Sequence, residues 1–341
     1  MKKLLTFLFI IFISINAYGA TPIYFEEVWA YVTTSDENSF KPTYPITDIG
    51  YFAAEINSFG KLVNVPNRKK IKGFSGRFHL VVAQVSNRAL THFAIDPSFP
   101  IRDVLIEYIL KAASSFDGVQ IDFEHVPPQD RYNFYSFLFQ LKSGLGDKPL
   151  SIALGARTKY LDDAYEYAKI AQIVDKILIM AYDEHWSSSA PGSVASLAWC
   201  KRVAEYAVKN IPLEKLIMGI PFYSRAWASA NLSKAYKHSG VKKLIADKNI
   251  VEFEFNEEVP FFKYQEIIDV VVYYENSEAV IKRAAIYDSM QINKIGFWRL
   301  GQEDIQIWQN LKTNLPKPNT IKQRVKSYLN QNRKPKKKSS K

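Results

Sequence analysis

Phe116-Asp117-Gly118-Val119-Gln120-Ile121-Asp122-Phe123-Glu124 is the stretch whose reading decides the fold. Val, Ile and Phe give it β-propensity, and the helical pattern before it stops at Asp117-Gly118. Side chains alternate across a strand, so Gln120, Asp122 and Glu124 share one face and Val119, Ile121 and Phe123 the other. Two carboxylates on one face of an apolar strand are costly to bury unless they are satisfied or used. An edge strand with its acids in water is the competing reading. It is disfavoured because the opposite face and the flanking strands are apolar, as in a parallel sheet covered on both sides. Glu124 closes the strand ahead of a His125-Val126-Pro127-Pro128 loop, at the carboxyl end where parallel α/β barrels hold their catalytic groups.

Working outward, eight short apolar strands fall near residues 27–32, 46–52, 78–83, 118–124, 150–156, 177–182, 216–221 and 295–300. Helical patterns separate most of them, at 100–115, 128–145, 164–173, 193–209 and 277–290. This βα alternation predicts an α/β fold, a (β/α)8 TIM barrel. One long gap, about 224–274, separates the seventh and eighth strands. It carries Tyr236, Phe253, Phe255, Phe261, Phe262 and Tyr264, too aromatic for a loose loop, and is expected to form a small insertion walling one side of the cleft. Residues 40–45 read as a turn and 66–72 as an exposed loop.

The ends differ from the body. Met1-Lys2-Lys3, an apolar run from Leu4 to Ile15 and the small-residue stop Asn16-Ala17-Tyr18-Gly19-Ala20 predict a signal peptide over 1–20, cleaved near Gly19 or Ala20. The apolar run is shorter than the roughly 20 residues of a spanning helix, so export rather than anchoring is expected. Residues 21–315 are expected to form the catalytic domain. The single cysteine, Cys200, permits no internal disulfide and falls in a predicted helix, which argues against a nucleophilic role. Net charge is +11, yet ten Lys or Arg and no acid lie in 316–341 and two lysines in the signal, leaving 33 basic against 34 acidic residues in the body. The tail is expected to be disordered and either to aid solubility or to meet anionic cell-envelope polymers or lipid headgroups. Nucleic acid is not an expected partner, and a monomer is expected. No HExxH, GxGxxG, P-loop or GxSxG element occurs, so neither a metal nor a cofactor is anticipated.

Asp117-Gly118-x-Gln120-x-Asp122-x-Glu124 resembles the DGxDxDxE signature of family 18 glycoside hydrolases, the chitinase-like enzymes. Gln120 stands where the usual pattern has a second acid; the spore-germination and cortex-fragment branch often carries Asn there, so the glutamine is a mild departure. Met180-Ala181-Tyr182-Asp183 matches that family's MxYD element. Gly219-Ile220-Pro221-Phe222-Tyr223-Ser224-Arg225 resembles its GIPFYGR element, and Ile295 to Gly301 its closing strand.

Glycoside cleavage needs an acid for the leaving oxygen and stabilisation of an oxocarbenium-like centre. Glu124 suits the acid role if its pKa is raised by burial or a neighbouring negative charge, which Asp122, about 6.6 Å along the strand, can supply. The resemblance implies that the substrate's 2-acetamido oxygen is the nucleophile and forms an oxazolinium ion. It implies that Asp122 orients the acetamido N–H, that Tyr182 donates to its carbonyl, and that Asp183 binds sugar or supports the acid. Asp117 would hold the turn into the strand and Gln120 would hydrogen-bond beneath Asp122. Trp298 would floor the reacting sugar, Tyr223 and Arg225 would contact sugar, and His185 and Trp186 would line the cleft.

The reading is therefore an exported, retaining hydrolase of β-linked N-acetylglucosamine polymers, peptidoglycan before chitin. With no peptidoglycan-binding repeats in the sequence, the basic tail is expected to substitute for them. A lectin-like carbohydrate-binding protein on the same barrel is the alternative, and the retained Glu124, Asp122 and Tyr182 argue against it. Endo-acting hydrolysis of glycoprotein glycans stays open at this point.

Overall fold

The computed structural model describes residues 21–229, 237–256 and 259–314. The signal segment, the basic tail and Tyr236 lie outside the described residues. Eight strands close a barrel: β1 (Glu27–Thr33), β2 (Asp48–Ile56), β3 (Arg77–Gln84), β4 (Gly118–Phe123), β5 (Leu150–Gly155), β6 (Lys176–Met180), β7 (Leu216–Pro221) and β8 (Lys294–Trp298). Every neighbouring pair is parallel, and β1 joins both β2 and β8 to complete the ring. These are the eight strands expected from the sequence. They were readable because a barrel strand is covered on both faces and so appears as an unbroken apolar run.

The helices are α1 (Arg88–Ile95), α2 (Ile101–Ala113), α3 (Arg131–Leu145), α4 (Tyr167–Ile170), α5 (Leu197–Asn210), α6 (His238–Asp247) and α7 (Ser277–Ser289). The segment expected to be helical over 164–173 forms one turn only, α4. Conversely, α1 was not anticipated; it starts where the Asn87 side chain accepts from the Leu90 N–H at 2.9 Å. Cys200 sits buried in α5, as its placement in a helix predicts.

Two cores share the strands. Trp29, Tyr31, Val81, Leu178 and Ile217 fill the barrel interior. Val119, Ile121 and Phe123 belong to the outer layer, where the Phe123 ring lies 5.7 Å from that of Phe137 on α3. The alternation of β4 therefore sends Gln120 and Asp122 inward, as expected.

At the amino end of the barrel, Asp48 accepts from Arg77 at 2.7 and 2.9 Å, and its Oδ1 lies 2.8 Å from His79 Nε2. Glu27 accepts from the Trp29 indole at 2.9 Å and from Lys176 at 2.8 Å. A Cβ at Gly118 would come within 2.5 Å of the His79 ring, so this glycine is what lets the histidine lie across β4. The Asp117 side chain accepts from the Phe78 N–H at 2.8 Å and ties the turn into β4 to the start of β3, the role expected of it.

The insertion consists of a two-stranded sheet pairing Arg225–Ala228 with Val270–Tyr273, helix α6, and a hairpin of Glu254–Asn256 with Val259–Phe261. No described helix is long and apolar enough to cross a membrane.

Candidate active site

A cavity of about 540 Å3 opens at the carboxyl end of the barrel, and Asp122, Glu124, Tyr182, Asp183 and Trp298 all line it. Several strand ends meet there, among them β4 for the two acids, β6 for Tyr182 and Asp183, β8 for Trp298, and β1 for Tyr31. Tyr31 was not singled out from sequence. On a covered strand an inward tyrosine reads as core, and only closure of the barrel places it against the cavity.

Asp122 is 5% exposed, and its Oδ1 has no hydrogen-bond partner among the described residues. Burial, reinforced by the charge of Glu124, pushes its carboxyl up to about 8. Glu124 stands one residue beyond the strand and is more open to solvent. Its N–H still donates to the Gln84 carbonyl at 3.1 Å, so the sheet holds its backbone. Partial burial raises its carboxyl too; His125 opposes the rise and the negative charge of Asp183 adds to it. The two acids face one site and both are raised: burial acts first on each, the charge of Glu124 adds to the rise of Asp122, and that of Asp183 adds to the rise of Glu124.

Asp183 occupies the left-handed region, φ 58°, which aspartate tolerates better than most residues. Its Oδ1 accepts from the Tyr223 hydroxyl at 2.6 Å and from Arg225 at 2.8 Å. Tyr223 and Arg225 were expected to contact sugar; neither lines the cavity, because both are engaged in holding Asp183. Gln120 hydrogen-bonds beneath Asp122. It lies under the cavity, accepting from the Tyr31 hydroxyl and donating to Ser151 Oγ at 3.2 Å, and makes no hydrogen bond to Asp122.

Burial raises the Tyr182 phenol well above its usual range, so it stays a hydrogen-bond donor. Trp298 forms the cavity floor with its ring 5.3 Å from Tyr31 and 4.8 Å, edge-on, from Phe52. His185 and Trp186 do not line the cavity. The His185 Nδ1 pairs with the Ala190 carbonyl at 3.0 Å inside its own loop, and Trp186 is 50% exposed with its indole donating to Ser188 at 2.7 Å. Nor does any described insertion residue line it; the insertion meets the rim where Arg225 donates to Asp183 at 2.8 Å and where Trp227 donates to the Trp186 carbonyl at 3.3 Å.

Among the described residues one group with metal-like spacing lies elsewhere: His92, Asp96 and Asp130, whose donor atoms fall within 4.8 Å of one another. His92 Nδ1 already pairs with Asp130 at 2.8 Å, so the group clamps α1 to the start of α3.

The sequence model of glycosyl hydrolases family 18 matches residues 100–303. The chain is 30% identical over 211 residues, 58% of this chain and 61% of the relative, to the uncharacterized glycosylase YvbX of Bacillus subtilis (strain 168). It is 26% identical over 296 residues, 79% of this chain and 68% of the relative, to the cortical fragment-lytic enzyme of Bacillus anthracis. A further relative, the putative sporulation-specific glycosylase YdhD of Bacillus subtilis (strain 168), is 31% identical over 212 residues covering 57% of this chain, and the chain spans about half of it, 49%. Among solved structures, the Bacillus cereus spore cortex-lytic enzyme SleL superposes with a TM-score of 0.68 at 23% identity, covering 86% of this chain and 76% of that one. That likeness shows the fold. With the family model spanning more than half of the chain and the barrel closed as described, the chain belongs to glycosyl hydrolases family 18.

Proposed function

We propose that this chain is a retaining hydrolase of β-linked N-acetylglucosamine polymers, with peptidoglycan favoured over chitin, that works by substrate-assisted catalysis. The observation carrying the reading is the unpartnered Oδ1 of buried Asp122 in a cavity it shares with Glu124, Tyr182 and Trp298. A buried acceptor without a donor is costly, and an acetamido N–H would satisfy it. That same contact favours the ionised form, which makes Asp122 the charge partner of an oxazolinium ion. Trp298 offers a flat apolar surface to the C–H face of the pyranose.

In the proposed reaction the acetamido carbonyl oxygen, held by Tyr182, attacks the anomeric carbon. The glycosidic C–O bond breaks as Glu124 gives its proton to the leaving oxygen. Water then adds to the anomeric carbon, returns a proton to Glu124 and reopens the ring with retention. Burial raises the Glu124 carboxyl, and the charge of Asp183, fixed by Tyr223 and Arg225, adds to that rise.

Peptidoglycan is preferred because several relatives, among them the cortical fragment-lytic enzyme of Bacillus anthracis and the sporulation-specific glycosylase YdhD, are named for work on the spore cortex or in sporulation. Export after cleavage near Gly19 or Ala20, action as a monomer, and contact of the 316–341 tail with anionic envelope polymers or lipid headgroups complete the reading, on the sequence features alone.

Mass spectrometry of products from purified peptidoglycan and chitin oligomers, with Glu124→Gln alongside, tests it. New N-acetylglucosamine reducing ends released by wild type and lost in the variant are expected. Binding of both glycans with no hydrolysis by wild type would replace the enzyme with a lectin-like protein.

A further inference from the structure

Next to the main cavity lies a second pocket, of about 260 Å3, lined by Glu124, Arg157, Leu161 and Tyr165. The two share Glu124, Ala153, Gly155, Ala156 and Met180, but Asp122, Tyr182 and Trp298 line the main cavity alone. An acid that protonates a glycosidic oxygen stands at the bond between the reacting sugar and the leaving sugar. Asp122, Tyr182 and Trp298 are the groups suited to the reacting sugar. The pocket that keeps only Glu124 from that set is therefore the place for the leaving sugar.

Arg157 is the cation of this pocket. It is 8% exposed, and its Nη2 donates to both oxygens of Asp163 at 2.8 and 2.7 Å. Its guanidinium is framed by the rings of Tyr167 and Tyr165, 5.4 and 5.9 Å away. Asp163 also accepts from the Tyr165 N–H at 2.8 Å, so an ion pair that merely braces this loop accounts for Nη2. It does not account for Nε and Nη1. Among the described residues Asp163 is the one hydrogen-bond partner of Arg157, and the other N–H groups of the fork are left for a ligand.

We infer that Arg157 recognises an acidic substituent on the leaving sugar: the lactyl carboxylate of N-acetylmuramic acid in a strand where that sugar alternates with N-acetylglucosamine. The inference rests on the proposed hydrolase reading and specifies its leaving-group side. In such a strand the leaving oxygen is O4 of the muramic sugar and the lactyl group is on the adjacent C3, so the carboxylate falls close to Glu124, on the Arg157 side. A planar guanidinium suits a carboxylate because two parallel N–H···O contacts form at once. Chitin has no acid at that carbon. A stem peptide converts the lactyl carboxyl to an amide, so the preferred substrate is a strand from which an amidase has already removed its peptides.

The test is kcat/KM of the full chain on peptide-free alternating strands, on the same strands with their lactyl carboxyls converted to methylamides, and on chitin oligomers of matched length. Wild type is expected to prefer the free acids over the amides by about tenfold or more, as befits a charge-assisted contact. Arg157→Gln should bring that ratio close to one when assayed well below its own melting temperature, which the loss of the Asp163 pair will lower, and Arg157→Lys should keep part of it. The inference is overturned if wild type cleaves acid and amide strands equally, a comparison that needs no variant. It is also overturned if Arg157→Gln lowers both rates in proportion, since Arg157 then only braces its loop. Cleavage of none of the three glycans by wild type would remove the hydrolase reading as well, which separates that failure from a failure of the inference alone.

Discussion

Tyr165 grips the backbone on both sides of Glu124. Its hydroxyl donates to the carbonyl of Phe123 and accepts from the N–H of Val126, each at 2.8 Å. The acid is thereby held at the end of β4 from one side by the sheet and from the other by a side chain 41 residues further along the chain.

Replacing Tyr165 by Phe removes both contacts at once and leaves a buried N–H unpaired. We expect kcat to fall between about ten- and a hundredfold, with KM changed far less, because a small displacement of the acid matters most in the transition state. Steady-state kinetics well below the melting temperature check this. An unchanged kcat would reduce Tyr165 to a packing residue.

The charge of Asp183 helps keep Glu124 protonated, so Asp183→Asn should lower the pKa of the acid. Glu124 then loses its proton earlier on the alkaline side, and the high-pH limb of the kcat/KM profile moves to lower pH. The freed positive charge of Arg225 acts in the same direction. A limb that stays in place would show that burial alone sets this acid.

Asp122 carries a conflict between stability and function. Its carboxyl titrates at about 8 in the fold against 3.8 for an ordinary aspartate, so the folded chain binds more protons and stability declines as pH rises between those values. Asp122→Asn removes the charge, and should stabilise the protein by on the order of a few kcal/mol at pH 8 and scarcely at pH 4 while cutting turnover severely. Denaturant titrations at the two pH values decide this; an equal gain at both would mean that the substitution acts through packing.

At the opposite end of the barrel the sign reverses. Burial pushes the Asp48 carboxyl up, but the hydrogen bonds and charges of His79 and Arg77 outweigh it and hold the group below its usual range. Its stabilising effect is present at neutral pH and is lost as pH falls through the depressed pKa. Asp48→Asn is expected to cost about 3 kcal/mol at neutral pH, since it removes the charge that buried His79 and half-exposed Arg77 both meet. Turnover at low temperature should change little, and a large loss of kcat in a folded variant would contradict that separation.

Much of the molecule was legible along the chain. The eight strands and the inward face of β4 followed from apolar runs and a period of two, since covered parallel strands leave few alternatives. Short elements were less readable. The eight residues of α1 include polar Thr91 and His92, and α4 keeps a single turn because its flanks pack as loop. Among the candidate site residues, Asp122, Glu124, Tyr182, Asp183 and Trp298 do converge. Tyr31, Arg157 and Tyr165 were passed over, because a tyrosine or arginine on a covered strand or in the loop that follows one carries no mark of what it will face.

The sequence by itself determined the barrel and the pair of acids on one face of its fourth strand, since both depend on local periodicity. Tertiary structure alone decided which acid is driven hardest toward the neutral form, and that Tyr223 and Arg225 hold Asp183 instead of reaching into the cavity. Proton affinity depends on lost hydration and on charges brought near through space, and neither quantity is written in the spacing of residues along a chain.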